Sequence, residues 1–166
     1  MKFLVGDSQE NRHATIRSFL NDTQAVIALV LAAIDLEWTI RRVIDAMRTT
    51  DSDPVSDKHV SGLDAYAKAW SKTIRGDTAR SLGDIVDDWD GLKSDYQIRN
   101  DIVHGRQGTV GTQFAAKRVE TILRASKAIA NYGKNHGADP FLKLKQRRVL
   151  TGPTKRKPSV RSLKAA

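Results

Sequence analysis

Residues 98-IRNDIVHG-105 set a permanent cation, an amide, a carboxylate and an imidazole close together: Arg99, Asn100, Asp101 and His104. Histidine takes and gives protons near neutral pH. Arginine stays charged and forks two hydrogen bonds onto a phosphate. Together they suit transesterification of RNA. One group deprotonates the 2′-hydroxyl, cations stabilise the phosphorane-like transition state, and an acid protonates the leaving 5′-oxygen. That scheme needs no metal. On a straight helix Arg99 and His104 lie about 140° apart and about 7.5 Å along the axis, so they share no face. Asn100 and His104 do share one, at i and i+4, where the amide is expected to orient the imidazole. A single imidazole serves awkwardly as both base and acid, whereas a twofold dimer supplies two Arg and two His.

The same residues have a plain structural reading. Arg99 is then a surface cation lying along apolar side chains, and His104 a charge at a helix end closed by Gly105. Asp101 and His104, at i and i+3, are two metal-compatible groups on one face. They lack a third ligand, and no H-E-x-x-H spacing occurs, so neither a metal nor a cofactor is expected.

The elements that must position these residues read as helices throughout. A short helix capped by Ser8 carries Ile16, Phe19 and Leu20 on its apolar face. A long one, from about Thr23 to Thr49 with Asn21 or Asp22 as cap, carries Ile27, Val30, Leu31, Ile34, Trp38, Ile40, Val43, Ile44 and Met47 at three-and-four spacing. The segment 50-TDSDPVSDK-58 is a loop. A second stripe runs through Leu63, Tyr66, Ala67, Trp70 and Ile74 towards Gly76. A third runs continuously through Leu82, Ile85, Val86, Trp89, Leu92, Tyr96, Ile102 and Val103 and stops at 105-GRQGTVGT-112. A fourth, capped by Thr112, carries Phe114, Val119, Ile122, Leu123, Ile129 and Tyr132. No segment alternates with period two. The expected fold is all-α, an up-and-down bundle of four to five helices over residues 1–137.

Composition narrows the classes further. Hydrophobic residues make up 40% and charged residues 28%, ordinary for a globular chain. The absence of Cys excludes a disulfide scaffold, a thiolate nucleophile and a Cys-ligated zinc site. The apolar run near the N-terminus is too short for a signal peptide. The longest apolar stretch, 25-AVIALVLAAI-34, falls short of the roughly 20 residues that span a membrane. A cytoplasmic protein without membrane contact is expected.

The charge of +9 is unevenly placed. Nine Lys or Arg against Asp139 alone give residues 138–166 a charge of +8, leaving +1 for residues 1–137. The tail 151-TGPTKRKPSVRSLKAA-166 reads as disordered, and 140-PFLKLKQRRVL-150 as a short basic segment. Such a tail solubilises the chain, meets an acidic partner, or binds nucleic acid by releasing counterions. Trp38, Trp70 and Trp89 read as core aromatics. His13, His59 and His136 fall in polar or terminal surroundings and are expected in solvent. Asp84, Asp87, Asp88 and Asp90 read as the solvated face of a helix.

Arg99-Asn100-Asp101-Ile102-Val103-His104 resembles the R-x4-6-H motif of the HEPN superfamily (higher eukaryotes and prokaryotes nucleotide-binding domains), including the polar residue common after the Arg. A helical bundle of this size, with the motif near its penultimate helix and a long early helix carrying 36-LEWTIRR-42, is similar to bacterial HEPN toxins across residues 15–135. The resemblance implies a metal-independent endoribonuclease, active as a homodimer with a composite cleft. It would leave 2′,3′-cyclic phosphate and 5′-hydroxyl ends and act as a toxin or antiphage defence effector restrained by a cognate antitoxin or defence-system partner. Carried over, Arg99 is the phosphate-binding cation, His104 the acid–base group and Asn100 the orienting residue, with Asp101 either supporting these groups or contacting substrate. Glu37 and Arg41, at i and i+4, either support that site or form a surface ion pair. Arg106 stands where some HEPN toxins carry a Tyr open to modification by an antitoxin. This chain therefore lacks that route of neutralisation and gains a cation there. Two alternatives stand beside the enzyme: a non-catalytic HEPN module binding nucleotide or a partner protein, and a helical interaction protein with a nucleic-acid-binding tail.

Overall fold

Ser8 opens the first helix as its type predicts, its hydroxyl accepting from the Asn11 amide at 3.2 Å. The computed structural model describes residues 7–21, 23–48, 62–74 and 79–141, and all regular structure among them is helical. The helices are α1 (Gln9–Ser18), α2 (Ala25–Met47), α3 (Leu63–Thr73), α4 (Leu82–Ile85), α5 (Trp89–Val103) and α6 (Thr112–Asn135). Five are long and α4 is a single turn, so the expected all-α bundle is what forms. No helix among the described residues is long and apolar enough to cross a membrane. The 50–58 loop, His59 and residues 142–166 lie outside the described residues.

Helix α2 is the centre of the bundle, packing on α1, α3, α5 and α6. Its buried Leu29, Leu36, Ile40, Val43 and Ile44 meet Val119, Ile122 and Ile129 of α6. The two helices approach closely at Gly133, where a Cβ would lie 3.1 Å from Val43 Cγ1 and from the Ala138 carbonyl oxygen. The expected Asn21 cap is displaced: α2 has Gln24 at its N-cap with no side-chain bond, and Asn21 Oδ1 accepts from the Thr23 amide instead. At α6 the N-cap is Gly111, one residue before the expected Thr112. The expected packing of Ile27, Ile34 and Phe114 also gives way, since all three are exposed.

The third stripe is broken in two. Val86 leaves helical geometry, and Asp88 starts α5 by accepting from the Gly91 amide at 2.8 Å. The apolar spacing runs on across this break, which is why periodicity alone joins the two pieces. Asp84 forms a capping box with Ser81 at the start of α4. Two of the exposed acids are therefore caps. Helix α5 closes on Gly105 at φ 70°, with Gly105 N–H donating to the Ile102 carbonyl and Arg106 N–H to the Asp101 carbonyl. That is a Schellman ending, which requires a residue at ease with positive φ.

The packed body continues past residue 137. Phe141 stacks on Trp38 with ring centroids 5.6 Å apart, and Arg42 Nε donates to the Pro140 carbonyl at 3.0 Å. His136 is exposed as expected, against the Tyr132 ring.

The expectation for His13 fails. It is 6% exposed and belongs to a buried polar network spanning α1, α2 and α6. Asp35 sits on the core side of α2, and a carboxylate there demands partners. Arg12 Nε donates to Oδ1 at 2.7 Å, Ser126 Oγ donates to Oδ2 at 2.8 Å, and His13 Nε2 lies 3.0 Å from Oδ2. Thr39 and Gln9 complete the network through Ser126 Oγ. Burial pushes the Asp35 carboxyl up, but the bonds from His13, Arg12 and Ser126 outweigh it and hold the carboxyl below its ordinary value.

Asp35→Ala strands the Arg12 cation in the core and should destabilise the fold by about 3–5 kcal/mol, measured by denaturant unfolding. The double variant Arg12→Met/Asp35→Leu should lose much less than the two single changes summed. Because the folded carboxyl titrates below its ordinary 3.8, its stabilising effect is complete above that pH. It disappears as pH falls through the lower folded value. Asp35→Asn should therefore flatten the acid limb of stability against pH.

Candidate functional site

Arg99 lies in the last turns of α5 with its side chain 23% exposed. Its guanidinium is held from three sides. Nη1 donates to Asn100 Oδ1 at 2.9 Å, Nη2 stands 4.0 Å from Glu37 Oε1, and Cζ lies 5.7 Å from the Tyr96 ring centroid. Its Nε is buried without a hydrogen-bond partner. An unpartnered buried donor is costly and leaves unused hydrogen-bonding capacity at this centre.

Glu37 is the hub. It accepts from the Tyr96 hydroxyl as well as facing Arg99. Arg41, one turn further along α2, donates through Nε to the Tyr66 hydroxyl of α3 and stacks over that ring at 5.3 Å. Burial raises the Tyr66 phenol; Arg41 opposes this, and the Glu37 carboxylate adds to it. Burial likewise raises the Tyr96 phenol well above its ordinary value, reinforced by its bond to Glu37. Both phenols thus stay neutral. The chain brings Arg99, Asn100, Glu37 and Arg41 into one polar node, together with Tyr66 and Tyr96.

Those two tyrosines are the members that periodicity hides, because each falls on an apolar stripe and buries its ring there. The available signal is their hydroxyl, since a buried phenol seeks a polar partner. Glu37 and Arg41 on the helix opposite supply it.

His104 is the C-cap of α5, exposed, with its amide donating to the Asn100 carbonyl at 2.9 Å. Its ring has no hydrogen bond among the described residues. The expected side-chain link from Asn100 to the imidazole is replaced by the link from Arg99 to Asn100. Asn100 therefore orients the cation. Asp101 and Arg106 form a separate pair 3.5 Å apart, and Asp101 also accepts from Gln97 at 3.2 Å. Neighbouring Val103 is 52% exposed, an apolar surface beside the imidazole.

Spectrophotometric titration should find two phenols ionising above the ordinary value of 10.0 in the native chain, and Tyr96→Phe should remove the more resistant one. A raised phenol stabilises the fold fully below its ordinary value and loses that effect as pH rises towards the folded value. Alkaline unfolding of Tyr96→Phe should accordingly be less steep in pH than that of wild type.

Comparison with known protein families, curated proteins and solved structures finds no match to this chain.

Proposed function

We propose that this chain is a metal-independent endoribonuclease of HEPN type, cleaving RNA by attack of the 2′-hydroxyl on the adjacent phosphate. The observation that carries this reading is the preorganised Arg99 guanidinium, held by Asn100 and Glu37 on the helix that ends at exposed His104. Arg99 binds the scissile phosphate and neutralises charge as the phosphorane-like state forms. His104, at the open end of the helix, moves the proton to or from the reacting oxygens. Asn100 and Glu37 fix the guanidinium, so little reorganisation is needed when substrate arrives. The products carry 2′,3′-cyclic phosphate and 5′-hydroxyl ends, and the biological role is that of a toxin or antiphage effector.

A second copy completes the site. Ile27, Ile34 and Arg41 recur every seven residues on one face of α2, so an exposed apolar stripe runs into the polar node. Val103, next to His104 at the end of α5, is exposed as well. A twofold partner seated along these positions covers that surface and brings two Arg and two His into one cleft.

Arg99→Ala and His104→Ala should each reduce cleavage of cellular RNA by about 10²–10⁴-fold without loss of folding. Both should also abolish growth inhibition on expression in a bacterial host. Mixing the two inactive variants under subunit exchange should restore part of the activity, because mixed dimers regain one Arg and one His. Folded, dimeric wild type that is harmless and cuts no RNA would instead make the Arg99–Glu37 node a structural ion pair of a binding module.

A further inference from the structure

His13 and Asp35 form a second polar centre that the proposed reaction does not use. Asp35 is held ionised by its partners, so the hydrogen between it and His13 sits on Nε2. That arrangement fixes the ring and leaves Nδ1 without a partner among the described residues. His13 lines a cavity of about 160 Å³ between α1 and α6, together with Gln9, Glu10, Arg17 and Lys127. The pocket is partly open to solvent, and this volume takes one tetrahedral oxyanion.

The charges around it are unequal. Arg17 spends its fork on Glu120, at 2.6 and 2.9 Å. Glu10, held ionised chiefly by a backbone N–H bond with help from Ser8, also lines the pocket and acts on His13, so a guest must bind against its charge. Arg12 and Asp35 neutralise each other behind the ring. Lys127, exposed on α6, is then the cation available to a guest, in the same pocket as an imidazole that is itself nine-tenths buried.

We propose that this cavity binds one phosphate-sized oxyanion between Lys127 and His13. With neutral His13, Nδ1 accepts the P–OH of monohydrogen phosphate. With protonated His13, it donates to a bare oxygen. Free phosphate and a terminal phosphomonoester offer the same oxygens, the latter with its remaining atoms outside the cavity.

Calorimetric titration of the full chain with inorganic phosphate should show saturable one-to-one binding, with the His13 ring resonances shifting in parallel by NMR. Lys127→Glu should weaken it about tenfold or more. Lys93→Glu, the same charge change on a residue paired with Asp90 in α5, should leave it within about twofold. Adenosine monophosphate matching phosphate would identify a terminal phosphate as the guest, and its failure beside phosphate the free ion. Absence of saturable binding, unmoved His13 resonances, or equal losses in Lys127→Glu and Lys93→Glu would overturn the proposal.

Discussion

The arrangement of this bundle depends on two carboxylates two residues apart in the middle of α2, Asp35 and Glu37. Asp35 and Glu37 point about 200° apart around α2, so they face different neighbours. Each must find cations or donors, because an unpaired carboxylate away from water is expensive. Asp35 finds Arg12, His13 and Ser126 and so ties α1 and α6 to α2. Glu37 finds Tyr96 and Arg99 and ties α5 to the opposite side, while Arg41 adds α3 through Tyr66. One helix therefore sets the positions of both polar centres.

The two centres differ in how completely they are satisfied. Around Asp35 the carboxylate is fully engaged, and even the unbonded Arg12 Nη2 belongs to a guanidinium stacked by Trp38 at 4.6 Å and Phe141 at 5.0 Å. Around Glu37 the ion pair is long, at 4.0 Å, and Arg99 retains an unpartnered Nε and partial exposure. A well-paired network stabilises and specifies the fold. A cation oriented by Asn100 that keeps an unused donor near an open helix end is suited to meeting a phosphate.

Much of this was legible in the residues. Ser8, Gly105 and the three-and-four spacing of α2 and α6 announce their elements because capping and burial are local demands. The break at Val86 was not legible, since the apolar spacing continues through it and only the Asp88 cap marks a new start. The burial of His13 is hidden for a related reason. Its polar neighbours in sequence suggest solvent, whereas the residue that buries it, Asp35, lies a helix away. At the candidate site Arg99, Asn100 and His104 stand out by type and spacing, and the 36-LEWTIRR-42 segment supplies Glu37 and Arg41. Tyr66 and Tyr96 remained hidden because a ring on an apolar stripe gives no sign of where its hydroxyl points. The turn of Asn100 towards Arg99 likewise depends on a rotamer that spacing leaves open.

The central claim is that Arg99 and His104 drive cleavage by the 2′-hydroxyl. The most direct measurement is the end chemistry of RNA after incubation with purified full-length protein in excess EDTA. New 2′,3′-cyclic phosphate and 5′-hydroxyl ends should appear with wild type and be absent with Arg99→Ala and with His104→Ala. Ends bearing 3′-hydroxyl and 5′-phosphate, or cleavage that persists in both variants, would contradict it.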